Sequence, residues 1–147
     1  MRHPVQRRGA VPARFPAVFR QYGVVGRITN TARINRLPAM NTEVRDLSPA
    51  EAAARVRDGS LTIVDVRPLA ERDLAAIALP YAVLEAGGLE ELLAQPHDLA
   101  LGFLCHHGGR SAQAAEHFRA HGFSAVFNIV GGIDAWAQDV DPSVPRY

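Results

Sequence analysis

Cys105-His106-His107-Gly108-Gly109-Arg110-Ser111 gathers a thiol, two imidazoles, two glycines, a guanidinium and a hydroxyl in consecutive positions. The cysteine is the only one in the chain. Before it runs Leu99-Ala100-Leu101-Gly102-Phe103-Leu104, an apolar stretch with the length of a buried strand. After it, an amphipathic segment from near Ser111 to the C-capping Gly122 predicts a helix. A cysteine at such a strand-to-helix turn meets backbone N–H groups and a helix dipole that both favour the thiolate. An ordinary thiol, with a pKa near about 8.5, is only a few per cent ionised at neutral pH, but at helix N-termini or beside cations the value falls to about 3.5–7.5. The residue types and their position predict nucleophilic sulfur chemistry at Cys105.

Each neighbour then has a candidate role. Gly108 and Gly109 can take backbone conformations closed to other residues, so that successive N–H groups turn inward as an anion-binding nest. Arg110 reads as the brace of the loop and its fixed charge. His106 and His107 supply further cations when protonated, or simply form the outer wall of the loop. Ser111 caps the helix with its hydroxyl or donates to the sulfur. A lone cysteine elsewhere is a small buried hydrophobe; the flanking Gly-Gly-Arg-Ser and the turn position point instead to a reactive one.

Cys-x4-Arg-Ser after a strand, with Asp65-Val66-Arg67 upstream and Gly131-Gly132-Ile133-Asp134-Ala135-Trp136 downstream, resembles the single-domain rhodanese family over roughly Val44 to Trp136. The resemblance implies an α/β fold: a single rhodanese-like domain whose central, mostly parallel five-stranded sheet is flanked by helices. It implies a sulfurtransferase that takes a sulfane sulfur from thiosulfate or a persulfide donor, holds it as a cysteine persulfide, and passes it to a thiol or cyanide. It places the persulfide on Cys105 and the loop on His106 to Arg110, with Arg110 the second catalytic residue. Substrate-binding positions are then His106, His107, Gly108, Gly109 and Ser111, with Asp65 and Arg67 beside them. No cofactor and no metal are implied, and the expected location is a bacterial cytoplasm. The alternative is a sulfur carrier or protein-binding module, loaded by a sulfur-relay protein and turning over little alone. The related dual-specificity phosphatases and arsenate reductases carry one more loop residue, a cradle for a tetrahedral oxyanion. Four residues separate Cys105 from Arg110 here, a tighter ring that suits one sulfur atom, so that chemistry is the less favoured alternative.

At 147 residues the chain holds one domain with a tail, and no apolar stretch approaches the ~20 residues of a membrane helix. All 16 basic residues are arginine, and the net charge of +1 hides an asymmetry. Met1 to Ala39 carries eight arginines and no acid, whereas from Met40 onward eight arginines face fifteen acids, a balance near −7. An acidic domain argues against a general nucleic-acid binder. The single cysteine excludes an internal disulfide and a Cys-x-x-Cys metal or redox motif, so sulfur carried on Cys105 must leave to another molecule. The segment 1–39, punctuated by Pro4, Pro12, Pro16 and Pro38, reads as a transit-peptide-like stretch, a disordered basic arm, or sequence upstream of a start at Met40; the domain spans 40–147.

The elements that must position the loop follow in order. A first strand at Val44–Leu47 leads to Ser48-Pro49-Ala50-Glu51, a capping box with proline at the first helical position, and a helix to about Asp58. Leu61–Val66 is a buried strand, Pro68 to about Ala75 a short helix, Tyr81–Leu84 an edge strand and Leu89–Leu93 another helical turn. Ala125–Ile129 is the last core strand and Ile133–Gln138 the closing helix. Strands alternating with helices at this spacing predict a parallel sheet, and ligands bind beyond the carboxyl ends of such strands. Asp65 and Arg67 lie at one such end. Either they touch substrate, or Asp65 caps the following segment and Arg67 pairs with Glu71. Trp136 reads as core packing, Asp134 as an acid favouring a helix N-terminus, and His97, His117 and His121 as surface residues, with no third ligand evident for a metal on the last two. The family's Gly-His-Ile-Pro-Gly-Ala turn is replaced by Ala75-Ala76-Ile77-Ala78-Leu79-Pro80, which puts the geometry of that turn in question.

Overall fold

The computed structural model describes residues 43–147; the expectations attached to residues 1–39, and to Met40 as a start, fall outside the described residues. Five strands, β1 (Arg45–Leu47), β2 (Thr62–Asp65), β3 (Tyr81–Ala82), β4 (Leu101–Leu104) and β5 (Val126–Ile129), form one sheet in the order β1-β5-β4-β2-β3. Every neighbouring pair is parallel. The helices between them are α1 (Pro49–Arg57), α2 (Leu69–Leu74), α3 (Gly88–Leu93), α4 (Gly109–Ala120) and α5 (Gly132–Asp139).

The alternation of side chains along each strand builds two cores. Ile63, Leu104, Phe127 and Ile129 point to one face, where they meet Ala52 and Ala53 of α1 and Ile133 and Trp136 of α5. Val64, Leu101, Phe103 and Val126 point to the other, against Leu92 of α3 and Ala115 and Phe118 of α4. Trp136 is 1% exposed, and its place is the core. With both faces covered, β4 is buried along its whole length and sits in the middle of the sheet. The residue that follows its carboxyl end is Cys105.

Local chemistry sets the element boundaries. The Ser48 hydroxyl accepts from the Glu51 N–H at 3.2 Å, and the Glu51 carboxylate accepts from the Ser48 N–H at 3.2 Å, the reciprocal capping box that starts α1. The turn at 75–80 does not need the glycines it lacks: none of its residues has a positive φ, and Ala75 and Ile77 anchor it in the core. The Ala75 carbonyl also accepts from Arg67 Nη2 at 2.8 Å, so the turn is held by an arginine. The edge strand it feeds is shorter than the apolar pattern predicts, pairing with β2 only through Tyr81 and Ala82.

Candidate active site

The loop between β4 and α4 is shaped by the helix that follows β5. At the start of α5, the N–H of Ile133 donates to the Cys105 carbonyl at 2.7 Å and that of Asp134 to the His106 carbonyl at 3.3 Å. This contact requires Gly132. With φ +59°, a Cβ there would lie 2.3 Å from the Cys105 carbonyl oxygen and 2.4 Å from that of His106. With the carbonyls drawn outward, N–H groups turn in. The Gly108 N–H points at Cys105 Sγ from 3.1 Å, and Gly108 makes the turn with φ 110° as the N-cap of α4. Ser111 Oγ lies 3.2 Å from the same sulfur.

Burial of Cys105, which is 1% exposed, pushes its thiol pKa up. The N–H groups of Ser111, Gly108 and His107, together with the Ser111 hydroxyl when its hydrogen is turned to the sulfur, outweigh that penalty and bring the pKa below its ordinary value. Arg110 is not a direct partner of the sulfur. Its guanidinium makes a two-pronged contact with Glu71, Nη1 to Oε1 at 3.0 Å and Nη2 to Oε2 at 2.9 Å, tying the first turn of α4 to α2. Arg110 therefore braces the loop and contributes a charge at a distance. Ser111, in turn, does not cap the helix as one of its two sequence readings had it. The helix begins at Gly109 with a glycine as N-cap, which leaves the Ser111 hydroxyl inside the loop.

Asp65 and Arg67 lie in the protein interior, each 1% exposed. The Asp65 carboxylate takes Nη2 of Arg67 at 2.8 Å, Nε at 3.0 Å and the Arg67 N–H at 3.0 Å. The expected pairing of Arg67 with Glu71 is made through the main chain and not the carboxylate. Arg67 reaches only the Glu71 carbonyl, at 3.3 Å, because Pro68 is extended (φ −64°, ψ 159°) and turns Arg67 back onto Asp65. The Glu71 carboxylate is thereby free for Arg110.

Outside the loop, three rings stack: His107 on His106, with centroids 3.9 Å apart, and His106 on Tyr147, 4.0 Å apart. The Tyr147 hydroxyl donates to Glu71 Oε2 at 2.6 Å and accepts from Arg67 Nη1 at 3.2 Å, while neighbouring Arg146 pairs with Asp134. Nε2 of His106 is buried without a hydrogen-bond partner among the described residues. Glu71 thus joins α2, α4 and the last residues of the described chain. Hydrogen bonds from Arg110 chiefly, set against a burial penalty and helped by Tyr147, lower its pKa from 4.5 to about 2. A depressed carboxylate pKa adds stability that is present above 4.5 and lost as pH falls toward about 2. Thermal melts across that window should show the wild type losing Tm more steeply than Glu71→Gln. Parallel curves would mean that this ion pair adds nothing to the fold.

The structure gathers Cys105, His106, His107 and Gly108 in the loop after β4 and Gly109, Arg110 and Ser111 in the first turn of α4, with Gly132 packed on the loop backbone and the Asp65–Arg67 pair bonded to the carbonyls of Glu71 and Ala75. Sequence reasoning missed Tyr147, which reaches Glu71 across 76 positions with no local pattern to announce it. It also missed Asn128, whose Oδ1 accepts from Ser111 Oγ at 2.6 Å. A polar side chain between Phe127 and Ile129 in a buried strand was the available signal.

A parallel α/β domain that cradles a thiol in backbone N–H groups at the end of its central strand is built for an anionic sulfur nucleophile. Residues 48–139 match the rhodanese-like domain family, and the chain belongs to it. An adenylyltransferase and sulfurtransferase of Zea mays is 37% identical over 92 residues, covering 58% of this chain and 19% of that protein. The chain thus corresponds to about a fifth of that relative's length. Among solved structures, a rhodanese-related protein of Thermoplasma volcanium superposes with a TM-score of 0.53 at 26% identity, covering 69% of this chain and 95% of its own. The polysulfide-sulfur transferase homodimer of Wolinella succinogenes gives 0.57 at 26% identity, covering 71% and 78%. No helix among the described residues is long and apolar enough to cross a membrane.

Proposed function

We propose that the protein is a cysteine-persulfide sulfurtransferase acting through Cys105. The observation that carries this reading is the ring around the sulfur: an N–H at 3.1 Å and a hydroxyl at 3.2 Å, in a loop with four residues between Cys105 and Arg110. The thiolate attacks the outer sulfur of the donor. A Cys105 S–S bond forms, the donor's S–S bond breaks, and its electron pair leaves on sulfite from thiosulfate or on a thiolate from a persulfide. The acceptor, a thiolate or cyanide, then attacks the outer sulfur, and Cys105 leaves as the thiolate. One sulfane sulfur has moved, with no oxidant or reductant consumed. The N–H groups of the loop hold the negative charge on Cys105 before transfer and on the persulfide after it. Arg110, anchored by Glu71, keeps the loop in place and supplies a fixed cation coupled to the sulfur.

Thiosulfate, a dianion, is disfavoured by a domain near −7, so its binding should be weak and salt-dependent; a protein or small-thiol persulfide is the better donor. The relation to one domain of a larger adenylyltransferase and sulfurtransferase supports a place in a sulfur relay with a partner protein.

The test is the intact mass after exposure to thiosulfate and, separately, to glutathione persulfide, with Cys105→Ser alongside. A gain of one sulfur on the wild type alone, removed by cyanide, is the expected result. Sulfur transfer that survives in Cys105→Ser would sink the reading. Turnover of an aryl phosphate that depends on Cys105 would restore the phosphatase alternative.

A further inference from the structure

We propose that Asn128 is a positioning residue for the sulfur chemistry, its side-chain amide turning over to decide whether the single Ser111 hydroxyl hydrogen serves Asn128 or Cys105. This deepens the reading of Cys105 as a nucleophile and rests on it. Ser111 is fully buried, with Oγ 2.6 Å from Asn128 Oδ1 and 3.2 Å from Cys105 Sγ, and a hydroxyl has one hydrogen to give. An amide oxygen can only accept. While Oδ1 faces Ser111, the hydroxyl donates to Asn128, and the sulfur meets a lone pair. That arrangement suits a thiol whose S–H donates to Ser111. It does not suit a thiolate or a persulfide anion, which need a donor.

Rotation of the amide exchanges Oδ1 for Nδ2. The N–H then donates to Ser111, and the hydroxyl hydrogen is released to the sulfur. The direction of the chain Asn128–Ser111–Cys105 therefore reverses when the sulfur loses its proton to solvent. Asn128 holds the place this requires. It lies on β5, in register with Phe103 of β4, and Nδ2 already faces Gly108, 3.7 Å from where a Cβ would stand there. The other groups acting on the sulfur, the N–H groups of His107, Gly108 and Ser111 and the charge of Arg110, have fixed polarity. Asn128 is a neighbour that can both accept and donate.

The experiment is the pH profile of Cys105 alkylation by iodoacetamide, which needs no sulfur donor. Asn128→Asp, while ionised, can accept from Ser111 but not donate, so the apparent pKa should rise by about one unit, leaving about tenfold less thiolate at neutral pH. In a Ser111→Ala background the same substitution should move it clearly less, since only the direct effect of the new charge remains. Equal shifts in the two backgrounds, or none, overturn the proposal. In the unmutated protein, the NMR resonances of the Asn128 side-chain NH2 should move with the Cys105 midpoint and cease to do so in Ser111→Ala; flat resonances also overturn it. Normal persulfide formation with flat Asn128 resonances removes this proposal alone. A reversing Asn128 in a protein that never takes up sulfur removes the sulfurtransferase reading alone.

Discussion

Gly132→Ala should cost the protein about 3 kcal/mol or more, from about 1–2 kcal/mol for a left-handed alanine and about 1–3 kcal/mol for forced overpacking. The new methyl would stand 2.3 Å from the Cys105 carbonyl oxygen, 2.4 Å from that of His106 and 2.6 Å from the His106 carbonyl carbon. All three are backbone atoms, and none can swing aside as a side-chain tip would. Relief requires α5 to move off the loop, which breaks the 2.7 Å bond from the Ile133 N–H to the Cys105 carbonyl. That bond keeps the carbonyl away from the sulfur. The same substitution should therefore raise the pKa of Cys105 and slow its alkylation at neutral pH, joining a stability loss to a chemical one.

Gly109→Ala is the matched control in the same loop. Nothing lies within 4 Å of a Cβ there, and Gly109 is the first residue of α4 with no positive φ. Alanine at this position should leave urea stability within about 0.5 kcal/mol of the wild type or slightly above it, since it narrows the unfolded ensemble. If both variants lost stability and thiolate reactivity alike, the loop would be sensitive to bulk in general, and the specific role given to the α5 contact would fail.

The contrast between these glycines shows what could be read from sequence. Gly-Gly at 131–132 is recognisable as a pair belonging with the cysteine loop, but not that Gly132 leaves no space for a Cβ beside the Cys105 carbonyl. That contact links residues 27 apart and comes from two parallel strands lying side by side. The strands and the capping box were legible because their signals are local: a β-branched run, a Ser-Pro-x-Glu start. For Arg67 the partner Glu71 is right, but the bond goes to its main-chain carbonyl, while the guanidinium's charge is met by Asp65 two residues back. The ties of Glu71 to Arg110 and Tyr147 escaped because contacts across the sheet end leave no periodic trace. Ser111 was placed at the sulfur or at a cap, and only the start of α4 at Gly109 decides between the two.

Asp65→Ala should be the most damaging single change beneath the loop, by about 3–5 kcal/mol, because it strands a buried guanidinium. Both side chains of the pair have no exposed surface, and Asp65 receives three donors of Arg67, its Nε, its Nη2 and its main-chain N–H. What would remain for Arg67 is the Ala75 carbonyl at 2.8 Å, the Glu71 carbonyl at 3.3 Å and the Tyr147 hydroxyl at 3.2 Å, none of them a counter-charge. The cost arises from the unpaired charge and not from the loss of an intrinsically strong pair, and the two accounts separate in one experiment. Replacing both partners with apolar residues of similar size, Asp65→Leu with Arg67→Met, should recover more than half of the urea stability lost in Asp65→Ala, since desolvation then falls on neither charge. The recovered fold should still be poor at sulfur transfer. Without the guanidinium, the 75–80 turn, the Glu71 carbonyl and the Tyr147 hydroxyl lose their common anchor, and Glu71 no longer holds Arg110 in a fixed place. A double variant as unstable as Asp65→Ala would show that shape, not charge, sets the cost. A double variant with full activity would show that the brace from Arg67 through Glu71 to Arg110 does not reach the sulfur.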